Sequence, residues 1–523
     1  MNFRVLAAAI TVAAVSACAS SHSAAGRHDT FSVPKPPRTL LQAIEASTDL
    51  GPAGPGVTVT LDFGLRSPRP NNSSIAAAVD MLERGGMHAS SHAPSSLILA
   101  DGPAQAASAL LGIEIDSYRL PDGQAFYAAR EEPRLPPAIA AVTVGVSGLD
   151  DYPRLQRYAI RAGGLTPVDV LSFYNLKALR DAGLDGTGQT ILLPEIDDMP
   201  NLSDLDRFAS KFGLPPFEPV LTTKRDPSWG SPQKPAGETV LDLEIAHSIA
   251  PAAKLVVYFS AADFGHTDRA FDQMVTDHLG SIISESLGSC ETDTPGGARN
   301  TYASIEDRAV AQRMTHLVAS GDTGAYTCGL DQPAASSFPA TLPTVTAVGG
   351  TSVFQSSQGT YFQESAWSSP IDQSGGGGGA SDFYGTPDYQ RNEAQAGAHG
   401  ERQVPDVAAD ANPSTGFHII FQGHDDQAGG TSAATPLWAG TIALINEDLK
   451  QKGLREAGFA NPAIYWMGEN DARLSPRPFH DVTAGNNLFY DAGTGWDFAT
   501  GWGSMDGAAL DAAWIRYIKG GGS

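Results

Sequence analysis

The chain has 523 residues and 34 basic against 58 acidic side chains, a net charge of −24 with histidine neutral, so a phosphate-backbone partner is excluded. Hydrophobic residues at 41% and charged residues at 18% describe a globular protein long enough for about two to four domains. Three cysteines exclude a disulfide scaffold and a four-cysteine zinc site, while 56 glycines and 36 prolines imply many tight turns.

Residues 1–18 read as an export signal: Arg4 starts it, Val5 to Val15 forms a short apolar core, and small residues follow. Val15-Ser16-Ala17-Cys18 resembles a bacterial lipobox, which would put a lipid on Cys18; an ordinary signal cleaved near Ala19 or Ala24 is the alternative. Both place the protein outside the cytoplasm of a bacterium, as a secreted, periplasmic or outer-membrane-tethered protein, where a Cys290–Cys328 disulfide is permitted. Residues 19–36 form a polar tether, and the only expected link to a membrane is the lipid on Cys18. Residues 37–150 read as a small α+β unit. Val57 to Phe63 alternates as a strand, Ile75 to Glu83 is helical, Ser96 to Ala100 is a strand and Ala104 to Leu111 a helix. Tyr118 to Phe126 reads as a hairpin around Pro121-Asp122-Gly123, and Ala141 to Val146, beyond a proline-rich run at 132–137, is a last strand. Residues 151–164 carry Arg154, Arg157 and Arg161 and paired glycines, and become a cleavable linker if the unit before them is a prosegment.

From 165 to 520 the pattern changes. Short apolar runs at 190–193, 255–258, 316–319 and 345–348 alternate with helical stretches, the signature of a doubly wound, mostly parallel sheet with helices on both faces. Gly375 to Gly379 reads as a flexible loop and lacks the lysine of a phosphate-binding loop.

Gly430-Thr431-Ser432-Ala433-Ala434-Thr435-Pro436 leads into an apolar helix read as Leu437 to Asn446. A serine at a glycine-preceded helix start lies against free N–H groups and the positive end of the helix dipole, which suits a nucleophile whose oxyanion needs stabilising. The heptad resembles the nucleophile segment of subtilisin-like peptidases, yet none of the twelve histidines sits in the segment such an enzyme uses for its base. Glu238 and Asp242 offer an alternative. Four residues apart in a helical stretch, they share one face, and two carboxylates so close share a proton and work as a base in acid. Asp322, in Ser320-Gly321-Asp322-Thr323-Gly324 after a predicted strand, can when protonated donate to an oxyanion.

These segments, in this order, resemble the sedolisin or serine-carboxyl peptidase family. Leu165-Thr166-Pro167, Phe338-Pro339-Ala340 and Val348-Gly349-Gly350-Thr351 add to the likeness, which covers residues 165–515. The resemblance implies a subtilisin-like fold preceded by a ferredoxin-like prodomain, with Ser432 as nucleophile, Glu238 as base, Asp242 as its supporting acid and Asp322 as oxyanion partner. It also implies one structural calcium ion, held by the side chains of Asp481 and Asp497 and the carbonyls of Val482, Gly493 and Gly495. The expected protein is a monomeric, acid-acting endopeptidase, self-processed from a zymogen, with peptides or proteins as substrates and its own prosegment as intramolecular inhibitor. Acid is expected to weaken ion pairs between prosegment and enzyme. A tripeptidyl exopeptidase and a non-catalytic, peptide-binding surface lipoprotein are the alternatives.

Overall fold

A computed structural model describes residues 39–121, 123–152, 160–161, 164–391 and 400–522. The export signal with Cys18, the polar tether, Asp122 of the hairpin turn and linker residues 153–159 and 162–163 lie outside the described residues. Pro37–Ser523 forms one compact unit. Among the described residues no helix is long and apolar enough to cross a membrane.

The N-terminal part builds a four-stranded antiparallel sheet in the order His88–Ser90, Leu97–Pro103, Thr58–Leu65, Thr143–Ser147. Helix Asn72–Arg84, capped by the Asn71 side chain, and helix Ala104–Leu111, ended by left-handed Gly112, supply the crossovers. Strand order 2-3-1-4 with those helices is the split βαβ arrangement expected from the sequence. Val59, Leu61, Phe63 and Leu65 alternate onto its own core. The predicted hairpin is present as Ile115–Arg119 paired with Ala125–Ala129, and Thr48–Pro52 adds a third strand.

The larger part is an eight-stranded sheet. Leu221–Lys224, Lys254–Phe259, Thr190–Glu195, Ile282–Glu285, Thr315–Ala319 and Thr346–Gln355 run parallel in that order. Val407–Asp410 also pairs in parallel with Thr346–Gln355, and Tyr361–Ala366 closes the edge antiparallel. Helices Glu238–Ile249 and Thr431–Gln451 pack into the core on one face, and Phe264–Asp277 and Gly296–Ala311 into the core on the other.

The N-terminal four-stranded sheet lies on that second pair of helices. A Cβ on Gly64 would stand 2.9 Å from Thr301 Cα, and one on Gly145 would stand 2.8 Å from Gly297 Cα, so the two backbones meet directly. Arg269 Nε donates to Asp62 Oδ1 at 2.9 Å and Ser147 Oγ donates to Asp268 Oδ2 at 2.6 Å, all within buried surface.

Gly375 to Gly379 corrects an expectation. The run is buried and tightly packed: a Cβ on Gly377 would fall 1.8 Å from Ser320 O, and one on Gly378 would fall 1.9 Å from Phe498 O. These glycines let three backbones converge beside Asp322.

Candidate active site

Three neighbouring parallel strands end on polar residues. Thr190–Glu195 ends on Glu195, Ile282–Glu285 runs into Ser286, and Thr315–Ala319 leads to Asp322. Carboxyl ends of adjacent strands are where a sheet of this kind gathers a site. Two helices complete it.

Helix Glu238–Ile249 starts at Gly237, which has no side chain to cap it. Asp197 does so from another segment: its Oδ2 accepts from the N–H groups of Ala236, Gly237 and Glu238 at 2.7, 3.0 and 3.1 Å. The helix is buried throughout, Glu244 included, whose Oε2 accepts from Ile420 N. Its acidic residues are therefore not a solvated face. Asp242 accepts from Ser286 Oγ at 2.8 and 3.0 Å. Glu195 accepts from Thr239 Oγ1 at 3.1 Å and also bonds Asp242.

Burial raises all three carboxyls. Glu238 is driven well above its ordinary value by burial and then by the charge of Asp242, while the nearby Ser432 hydroxyl favours its charged form. Neither Glu238 oxygen otherwise finds a hydrogen-bond partner among the described residues. Burial pushes Asp242 up to about 8 against the hydrogen bonds from Ser286 and Glu195. Glu195 is raised well above the carboxylate range by burial, then by Asp242 and Glu238. Three carboxyls buried so close together therefore do not all ionise, and their titrations are linked.

Helix Thr431–Gln451 follows Gly430 and has Ser432 as its second residue, at a glycine-preceded start as expected; it extends the apolar stretch 437–446 at both ends and includes Pro436. Proline has no N–H to offer the Ser432 carbonyl, which would be its partner four residues back. Ser286 Oγ lies 3.2 Å from Ser432 O, so its one proton can serve either that carbonyl or Asp242. The Ser432 hydroxyl is buried and reaches Ser286 O only at 3.5 Å, a loose contact for the resting state. Asp322 is pinned to the same helix start, its Oδ1 accepting from Thr431 N at 2.7 Å and Thr431 Oγ1 at 2.8 Å. Burial pushes Asp322 up to about 7 against those two donors.

Glu238, Asp242, Asp322 and Ser432 therefore gather at one place. Glu195, Asp197 and Ser286 join them without having been singled out from sequence. His316, on the strand leading to Asp322, has both ring nitrogens held by carboxylates, Glu306 at 2.8 Å and Glu285 at 3.0 Å, which push it up to about 9. It is a buried cation rather than a base.

A second cluster lies near the C-terminus. Gly493 N donates to Asp497 Oδ2 at 2.8 Å and Gly495 N donates to Asp481 Oδ1 at 3.1 Å, so both carboxylates converge on one glycine loop. Among the described residues the carbonyl oxygens of Val482, Gly493 and Gly495 accept no hydrogen bond. Two carboxylates and three free carbonyls are a hard oxygen set of the type calcium takes, water completing the shell. Among the described residues no three His, Cys, Asp or Glu side chains gather as a metal site; this set contributes only two. Cys290 and Cys328 form a disulfide between the segments that follow Ser286 and Asp322.

Comparison with known proteins gives the same two parts. The Subtilase family description matches residues 234–503, and that of the pro-kumamolisin activation domain matches residues 47–152. Kumamolisin from Bacillus sp. (strain MN-32) is 32% identical over 456 residues, 80% of this chain and 79% of that protein. The solved structure of Pseudomonas sedolisin, a serine-carboxyl proteinase complexed with pseudo-iodotyrostatin, has a TM-score of 0.60 and 32% identity, over 69% of this chain and 100% of that one. Tripeptidyl-peptidase 1 of Canis lupus familiaris is 27% identical over 73% of this chain and 72% of its own.

Proposed function

The chain belongs to the sedolisin family of serine peptidases and carries an activation prosegment, and on that premise we propose that it is an acid-acting serine-carboxyl endopeptidase made as a self-processing zymogen. The observation that carries this reading is the meeting of Ser432 with two separate carboxyl systems, Glu238–Asp242–Glu195 on one side and Asp322 on the other.

In this reading Ser432 Oγ attacks the substrate carbonyl carbon and passes its proton to Glu238. Asp242 and Glu195 act on Glu238 through their charge, and Ser286 hydrogen-bonds Asp242. Thr431 occupies Asp322 Oδ1, leaving Oδ2 to carry a proton and donate it as a hydrogen bond to the oxyanion. Collapse of the tetrahedral intermediate breaks the carbon–nitrogen bond, and Glu238 returns the proton to the leaving amine. Water then hydrolyses the acyl-enzyme by the same steps in reverse. An imidazole base would be protonated in acid, whereas carboxyls that share protons give up the first of them more readily than the last, so the set can offer a base there.

Asp481, Asp497 and the carbonyls of Val482, Gly493 and Gly495 would hold the calcium ion, whose role is to fix the loop. The prosegment acts as intramolecular inhibitor, and linker strand Ile160–Arg161 pairs with Gln427–Ala428 just before Ser432, which supports self-cleavage. A Cys290–Cys328 disulfide and the signal-like start support an extracytoplasmic location. The likeness to a tripeptidyl-peptidase keeps exopeptidase action as the second reading. Peptides blocked at the N-terminus separate the two: an endopeptidase cuts them in acid and a tripeptidyl peptidase does not.

A further inference from the structure

Beside the Asp322 loop is a cavity of about 310 Å³ that the roles above leave unused. Its walls are small residues, 334–336 on one side and 378–380 on the other. Both walls continue from segments bonded to the loop that carries Asp322. Ala335 N donates to Ala325 O at 2.8 Å, Gly377 N to Gly321 O at 2.7 Å, and Gly375 N to Asp322 O at 3.0 Å. The first wall also runs into Ser337–Phe338, which pairs with Ser289–Cys290, three residues beyond Ser286. The cavity is thus built on segments that are hydrogen-bonded to the Asp322 loop, and none of the carboxyls of helix Glu238–Ile249 lines it.

The polar lining is one-signed. Asp382 and Glu401 contribute carboxylates, Tyr490 a phenol and Ser336 a hydroxyl, and no Lys, Arg or His lines the cavity. Neither carboxylate forms an ion pair among the described residues, and the charge of Asp382 extends to the Tyr490 phenol, which burial and Asp382 together raise. Arg299 lies against the Phe383 ring at 3.4 Å and donates to the Glu291 and Thr294 carbonyls, so it is committed elsewhere. Glycine and alanine walls leave room for a long unbranched chain. Carboxylates without counter-ions in a concave site attract a cation.

We propose that this cavity takes the lysine or arginine side chain of a peptide substrate, with Asp382 and Glu401 as the residues that read its charge. The inference rests on the peptidase reading above and supplies the substrate class. A long basic side chain buries its methylenes against the small walls and brings its charge to the two carboxylates, whereas an acidic one meets like charge.

The test uses the acid-matured enzyme and blocked peptides that differ at one position, which is lysine, arginine, glutamine, leucine or glutamate. Basic peptides are expected to exceed the glutamine peptide in kcat/KM by about 10-fold, and the glutamate peptide to be cut least. In the Asp382→Asn, Glu401→Gln double variant the basic-to-glutamine ratio is expected to fall to near one, with the glutamine peptide still cut. Because the ratio is taken within one preparation, it does not depend on how much enzyme folds. Equal cleavage of basic and neutral peptides by the wild type, or a preference that survives both substitutions, overturns the inference and leaves the peptidase reading intact. Failure to cut any peptide, blocked or free, removes both.

Discussion

Asp322 Oδ1 accepts the main-chain N–H of Thr431 at 2.7 Å and its hydroxyl at 2.8 Å, so the residue next to Ser432 holds this carboxyl at the helix start. Burial pushes that acid up to about 7, and an oxyanion donor works only while protonated. Activity is therefore expected to be high in acid and to fall as pH rises through about 7. An Asp322→Asn variant keeps an N–H to donate and cannot ionise, so its profile should lose that alkaline fall. Asp322→Ala removes the donor and should lower kcat by about 10²–10³-fold. The check is kcat/KM against pH for the three proteins.

Stability should also favour acid. Glu364 is buried among donors, Thr351 Oγ1 at 2.7 Å, Tyr174 Oη at 3.2 Å and the Ser504 hydroxyl, yet burial still pushes it from 4.5 up to about 7. Asp410 and Glu244 are raised well above their ordinary values by burial as well. A carboxyl raised in the folded state contributes stability that is complete below its unfolded pKa and is lost as pH rises through the folded one. Thermal unfolding of the Ser432→Ala protein should thus drop in Tm from about pH 4.5 to pH 7 and beyond, with Glu364 alone accounting for on the order of 3 kcal/mol. Glu364→Gln should flatten that part of the curve.

Much of the site is legible in the sequence because its parts are local. The four-residue spacing of Glu238 and Asp242, the Gly-Thr-Ser heptad and an aspartate after a strand each follow from short-range pattern. Glu195, Asp197 and Ser286 escape such a reading, since only the side-by-side placement of strands from distant parts of the chain brings them to the helix. The signal available was faint: each lies at or just after the end of a short apolar run. The apolar run marked the helix from Leu437, whereas it starts at Thr431 with Pro436 inside it. The glycine run suggested flexibility, whereas the need of three backbones to approach within contact makes it one of the more tightly packed segments.

The prosegment contact reverses the sign expected for acid release. Asp62, buried against Arg269, is pushed up to about 7, and Asp268 beside Ser147 is raised well above its ordinary value. Docking linked to raised carboxyl pKa values is strongest below the free pKa of those groups and weakens as pH rises through about 7. On the proposed reading, acid activation is cutting by a catalytic set that has become competent, not undocking. Ser432→Ala precursor taken to about pH 4 should show no loss of Tm. Arg269→Ala, which leaves Asp62 buried without its partner, should destabilise docking by about 3–5 kcal/mol, read as faster maturation or a separate early unfolding transition.

Calcium removal should act on the loop of residues 481–497. A cation that binds only the folded state stabilises it by mass action, so a chelator should lower Tm, and added calcium should restore it. Asp497→Ala should lower Tm and make the protein insensitive to the chelator. An unchanged melt of metal-stripped wild type would remove the site.

The most direct measurement is the mass of purified precursor held at about pH 4 in a protease-free preparation. The account predicts that wild type loses its N-terminal part, leaving a chain that starts between about residues 145 and 165, in the region of the linker. It predicts that Ser432→Ala and Glu238→Ala stay full length. Equal shortening of those two variants would contradict the assignment of Ser432 and Glu238 as nucleophile and base.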